Sequence, residues 1–169
     1  IALLLAAYGF ALRDQNRAYW AALVFAIIWK EDVALAILGL GVMLLIQHRR
    51  AGGAPRRRAL YTIVFAAVWF ALATQVLLPH FSPTGKAFYA EGFYGNLGNN
   101  FTSVAASFIT HPGRVESHLQ NANAVGYLRN LFAPFGFVNL LAPVTLIIAV
   151  PQLLANLLSI NNFTWSLRF

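Results

Sequence analysis

The 169 residues contain no cysteine, which excludes disulfides and thiolate metal sites. Acids are scarce as well, five against twelve lysines and arginines, and charged residues of both signs make up only 10% of the chain. A soluble domain carries about 25% charge and about 45–50% apolar residues; here the apolar share is 59%. That polar surface is too small to coat a soluble fold, so an integral membrane protein is expected. The meaning of the basic excess follows from where it sits. Arg49, Arg50, Arg56, Arg57 and Arg58 fall in one short loop between apolar stretches, the pattern of a cytoplasmic membrane loop, so nucleic acid is not an expected partner.

What is present is a series of apolar segments. Ile1 to Leu12 has no charged n-region or cleavage site, so it is expected to be the tail of a membrane helix in a piece of a larger polytopic protein rather than a signal peptide. Arg13-Asp14-Gln15-Asn16-Arg17 ends it, and an apolar run from Ala18 to Ile46 follows. The arginine loop at 48–58 carries Gly52, Gly53 and Pro55 as helix breakers. Ala59 to Leu78 is the cleanest span, because 20 residues rise about 30 Å, the thickness of the hydrocarbon core.

Residues 79–123 are rich in Gly, Asn, Ser and aromatics and are expected to form a large loop outside the membrane. A short helix over Phe101 to Thr110 is predicted within it, with Asn100 as N-cap and His111-Pro112-Gly113 as its end. From Ala124 the chain is apolar again, and Pro143 divides it into spans at about 124–141 and 144–159. The five arginines at 48–58 place that loop in the cytoplasm and the 79–123 loop on the opposite side.

Lys30, Glu31 and Asp32 interrupt the Ala18–Ile46 run. As one helix the run would be about 43 Å long with three charges near its middle. At about 2.5–3.5 kcal/mol each, those charges would cost about 8–10 kcal/mol facing lipid. Two short helices meeting at the triplet avoid that cost and put Arg13 and Arg17 on the same side as the arginine loop. The objection is length, since Ala18–Trp29 gives only about 18 Å of helix, and short helices need packing by neighbours or a thinned bilayer. The charge cost favours helices at 18–29 and 33–47.

WKEDVALAILGLGVMLL followed by a basic loop resembles a segment of the polytopic GT-C glycosyltransferases, which use lipid-linked sugar donors. In several of those enzymes a Lys-Gly turn at the outer face joins two helices, and its lysine helps to hold the donor phosphate. KEDVALAILGLGV together with YLRNLFAPFGFVNLLAPVTLIIAVPQLLANLLS is similar to a membrane-protein family of unknown function, numbered 2079, which is itself GT-C-like. This resemblance covers most of the chain outside 79–123, and the KED turn and the Pro151 to Ser159 tail carry most of it. Glu31 stands where the wider superfamily has glycine. The acidic residue of an early outer loop that the superfamily uses as base has no counterpart and is expected to precede Ile1.

The resemblance implies transfer of a sugar from a polyprenyl-phosphate donor to a cell-envelope acceptor, in a bacterial plasma membrane. Such transfer needs a cation for the leaving phosphate, a carboxylate for the acceptor proton and a groove for the lipid. Lys30 is the candidate cation. Asp32 and Glu31 are the candidate carboxylates, to take the proton, orient Lys30, bind a sugar hydroxyl or hold a divalent ion. Against this stands a wetted interfacial turn, with Lys30 at the headgroups and the acids at the start of the next helix.

His80, after Pro79, either contacts the donor phosphate or is simply solvated. Arg129 either snorkels to the interface or faces a phosphate. His111, Glu116 and His118 match no standard zinc spacing. Phe88, Tyr89, Phe93 and Tyr94, with Asn96, Asn99 and Asn100, suit a sugar-stacking surface and an interfacial aromatic belt equally. The expected fold is an all-α polytopic transmembrane bundle of about six membrane helices with a large non-cytoplasmic loop, its partners being membrane lipids and the polyprenyl-phosphate-linked sugar. A transporter or lipid flippase and a non-catalytic scaffold remain as alternatives.

Overall fold

A computed structural model describes residues 2–29, 32–50, 52–81, 94, 97, 101–121, 124–136, 141 and 143–158. All the regular structure among them is helical. Two compact units emerge: residues 1–73 with 144–152, and residues 74–143 with 153–169.

The first unit holds α1 (Ala2–Leu12), α2 (Asn16–Trp29), α3 (Val33–Gln47) and most of α4 (Ala54–Leu72). α1 ends in a Schellman turn. Asp14 takes a left-handed conformation (φ +53°), Gln15 N–H donates to Phe10 O at 3.0 Å and Asp14 N–H to Ala11 O at 3.3 Å. Asp is one of the few residues with a side chain that accept this conformation readily. The Ala18–Ile46 run is divided, α2 stopping at Trp29 and α3 starting at Val33, with Asp32 in the N-cap position. At the other end of α3, His48 Nδ1–H donates to Leu44 O at 2.9 Å, a carbonyl that also accepts the His48 backbone N–H at 3.0 Å.

α4 starts earlier than expected. Gly53 (φ +83°) reverses the chain and Pro55, its ring preset for a first turn, lets the helix begin at Ala54. Arg56, Arg57 and Arg58 are therefore helical and do not belong to a loop. The helix continues through a π turn at Ala73–Leu77 to Phe81, past the expected end at Leu78. The continuous Ala54–Phe81 helix has 28 residues and is the one helix among the described residues long and apolar enough to cross a membrane.

α1 packs on α2 and α3 on α4. Half of the buried core positions are alanines, Ala7, Ala11, Ala22, Ala26, Ala34, Ala59 and Ala66, and the rest are large, among them Tyr19, Leu23, Ile37, Leu40 and Met43. Larger apolar side chains on the same helices point outward, among them Phe25, Ile28, Tyr61, Val64 and Val68. A soluble bundle would bury those and expose small or polar residues. Helices in lipid can leave such side chains outward to meet acyl chains, while alanines and glycines between helices let backbones approach. Two glycines carry this furthest. A Cβ on Gly41 would lie 2.8 Å from Ile63 Cγ1 on α4, and one on Gly39 would lie 2.5 Å from Ile148 O and 2.7 Å from Ile147 O.

The second unit contains α5 (Phe101–Thr110), α6 (Pro112–Asn121) and α7 (Ala124–Phe132). Pro112 both stops α5 and opens α6, so the His111-Pro112-Gly113 sequence that was expected only to end a helix also starts one. The expected span at 124–141 stops at Phe132. Pro134 cannot donate an amide, a 3₁₀ turn covers Ala133–Phe135, and Gly136 (φ +56°) reverses the chain. The expected span at 144–159 is two pieces, α8 (Pro143–Leu146) and α9 (Val150–Leu158). Tyr94, Leu97, Val104, Val115 and Leu158 form the core of this unit, and Ser107 Oγ fastens α5 to the preceding chain by donating to Leu97 O at 2.6 Å.

Candidate functional site

Two polar places stand out in an otherwise apolar first unit. The charged triplet falls between α2 and α3. Lys30 and Glu31 lie outside the described residues; Asp32 is half-buried, and its carbonyl accepts from Leu35 N–H at 3.0 Å to start α3. Its carboxylate does not cap that helix. The remaining candidates belong to the second unit. His80 is exposed, edge-on to Phe81 with ring centroids 5.2 Å apart. Arg129 is exposed in the last turn of α7, where a cation suits the negative helix end. No hydrogen bond or ion pair joins His80 to Arg129.

The aromatic surface is not what was expected at Tyr94. That ring is buried in the second unit's core, so it stacks on no sugar. Phe88, Tyr89, Phe93, Asn96, Asn99 and Asn100 lie outside the described residues. His111 Nδ1 meets Thr110 Oγ1 at 2.9 Å, and Glu116 is exposed; the side chain of His118 is outside those described. Among the described residues no three acidic or histidine side chains come together to hold a metal ion.

The second polar place is built on Arg58, which sequence reasoning treated only as a marker of sidedness. One turn into α4, its side chain is 7% exposed. Nη2 donates to Ala11 O (2.9 Å) and Asp14 Oδ1 (3.1 Å), and Nη1 donates to Asn16 Oδ1 (3.0 Å). The guanidinium also lies 5.7 Å from the Tyr19 ring centre. Thr62, one turn further along α4, donates to Arg58 O at 2.9 Å. That uses its only proton, so in the 2.6 Å contact between the two hydroxyls Tyr19 must be the donor. One arginine thus ties the end of α1 and the start of α2 to α4. The available signals were a lone aspartate among arginines at 13–17 and a threonine four residues after Arg58.

Residues 1–169 match the family described as "Predicted membrane protein (DUF2079)". The chain belongs to that family. No curated protein and no solved structure matches it. Membership agrees with the apolar composition, the spanning helix Ala54–Phe81 and the large apolar side chains that the first unit leaves exposed.

Within this membrane protein, the two polar places are at opposite ends of α2. Its 14 residues rise about 20 Å from the Arg58 cluster at Asn16 to the break after Trp29. The Arg58 end is closed by internal hydrogen bonds and is structural. The triplet end brings one cation and two carboxylates together in the sequence.

Proposed function

We propose that this protein is a polytopic membrane enzyme of the GT-C type, moving a sugar from a polyprenyl-phosphate donor to a cell-envelope acceptor at the outer face of a bacterial plasma membrane. The carrying observation is the interruption of an apolar run between Trp29 and Val33, where Lys30, Glu31 and Asp32 fall, at the end of α2 remote from the arginine-rich end. With the arginines facing the cytoplasm, the triplet faces out. On this reading the short helices of the first unit and the broken segment after Ala124 also lie in the membrane, giving about six membrane helices.

In the proposed reaction an acceptor hydroxyl attacks the anomeric carbon. The new glycosidic C–O bond forms as the bond to the phosphate oxygen breaks, and polyprenyl phosphate leaves with the electron pair. Lys30 stabilises the charge growing on that phosphate, and Asp32 or Glu31 takes the acceptor proton. A divalent ion held by the two acids would serve the same end as Lys30.

The test uses full-length protein purified in detergent, melted with and without polyprenyl phosphate, as wild type and as Lys30→Ala. A rise in melting temperature for the wild type that is largely lost in the variant supports a phosphate site at the triplet. No shift in either protein removes this reading. A transporter then takes first place, favoured by one observation: the segment from Pro143 is broken into α8 and α9, in the manner of a discontinuous membrane helix.

A further inference from the structure

The fold gathers into one place arginines that the sequence distributes over two connections. The 13–15 turn joins α1 to α2, and the 48–53 segment joins α3 to α4. Arg58, in the first turn of α4, bonds to Ala11, Asp14 and Asn16, while Gln47 Nε2, at the end of α3, donates to Tyr8 OH on α1 at 3.3 Å. Both connections therefore lie at the same end of the first unit. They place Arg13, Arg17, Arg49, Arg50, Arg56 and Arg57 there, every one exposed.

Asp14 is the one acid in stretches 11–20 and 47–62, and Arg58 engages it. The exposed arginines thus have no carboxylate of their own, and their crowding is unfavourable unless an outside anion lies among them. What borders them identifies the anion. Within about a turn along the helices the exposed surface becomes apolar: Leu12 is 63% exposed, Ile46 42%, Leu60 44% and Tyr61 61%. A nucleic-acid backbone offers nothing to that apolar band. A lipid leaflet offers acyl chains to it and phosphates to the arginines directly above, with the Tyr61 ring at the boundary level that tyrosines favour.

We propose that this end of the first unit is a binding site for anionic phospholipid headgroups, with Arg58 holding the α1–α2 turn against α4 so that arginines from both connections share one site. The inference does not depend on the sugar-transfer reading.

The experiment titrates full-length protein in neutral detergent with dioleoylphosphatidylglycerol or dioleoylphosphatidylcholine and counts bound lipid by native mass spectrometry. Phosphatidylglycerol is expected to bind about tenfold tighter, less so as salt rises. Each basic side chain at an anionic surface raises binding about fivefold, so changing Arg49, Arg50, Arg56 and Arg57 together to Gln removes the preference. Arg114→Gln, exposed on α6 of the second unit, leaves it intact. Should the fourfold variant lose helicity, Arg56→Gln with Arg57→Gln is the replacement, and it must weaken the preference measurably.

Equal binding of the two lipids by the wild type overturns the proposal, as does an unchanged preference in the arginine variants. Competition by sn-glycerol 3-phosphate at the same phosphate concentration would show a site for a free anion instead of a lipid. Competition by duplex DNA would show a nucleic-acid surface. Either result sinks it.

Discussion

Replacing Arg58 by Ala should destabilise the first unit more than any other single change at its polar end. The bond to Ala11 O is charge-assisted and buried, worth about 1.5–3 kcal/mol, and the contact with the Tyr19 ring adds about 0.5–2 kcal/mol. The ion pair with Asp14 contributes little, about 0–1 kcal/mol, because the aspartate side chain is 80% exposed and water screens it. Ala11 O keeps a bond from Asp14 N–H, and Asn16, exposed, turns to water, so the net loss is about 3 kcal/mol. In a chain of this size that is about 6–12 °C in melting temperature. Lys keeps one bond of the fork and should lose about half as much. Asp14→Asn, which retains an oxygen and tolerates the left-handed turn, should cost less than about 1 kcal/mol. Helicity followed through an SDS titration in mixed micelles gives all three values. The assignment fails if Arg58→Ala unfolds with the wild type. It fails equally if Asp14→Asn costs as much as Arg58→Ala, which would make the exposed ion pair the fastening.

Gly39→Ala should cost about 1–3 kcal/mol, since its Cβ would meet backbone oxygens that cannot rotate away, whereas Gly9→Ala in open space should stabilise α1 by about 0.5–1 kcal/mol; the same titration compares them. Thr62→Val strands the buried Tyr19 hydroxyl and should cost about 1–3 kcal/mol, more than Tyr19→Phe, and a double-mutant cycle should return less than the sum of the two. Ala66→Leu, at a fully buried site, should destabilise by about 1–3 kcal/mol while Val68→Ala, 61% exposed, stays within about 0.5 kcal/mol in bilayer nanodiscs; the opposite order would contradict a lipid-facing outer surface.

The end of α2 at Trp29 and the start of α3 at Val33 were legible in the sequence because their cause is local: charges that lipid rejects have to sit where helices end. The helix at Phe101–Thr110 was legible for a similar reason, between a polar stretch and a proline. The start of α4 was not, because the arginines concealed a helical first turn that Gly53 and Pro55 encode. Pro143 opens a helix where the sequence divides the two spans, but Pro134 and Gly136 fall inside the expected first span and stop it, and the pieces are short. The Arg58 cluster was out of reach for a different reason. Its partners stand 42 to 47 positions away in the chain, and nothing in the pattern of apolar residues says which end of α1 meets which end of α4.

What holds α3 bears on the two functional readings. Association in lipid gains nothing from burying apolar surface, so helices need close backbone approach or polar fastening. α3 is approached closely from two sides. Gly41 faces Ile63 of α4, and Gly39, two positions earlier and so turned by about 200°, faces the carbonyls of Ile147 and Ile148. The helix that the charged triplet leads into is therefore clasped seven to nine residues beyond Asp32, roughly two turns from its start. Chemistry at the triplet requires its groups to be fixed to within a fraction of an ångström by rigid elements. An alternating-access transporter requires one bundle to move against another, and motion of α3 would break at least one of these two backbone contacts. Two such contacts on one short helix suit a fixed site better than a moving one, and on that ground the sugar-transfer reading stands ahead of the transporter.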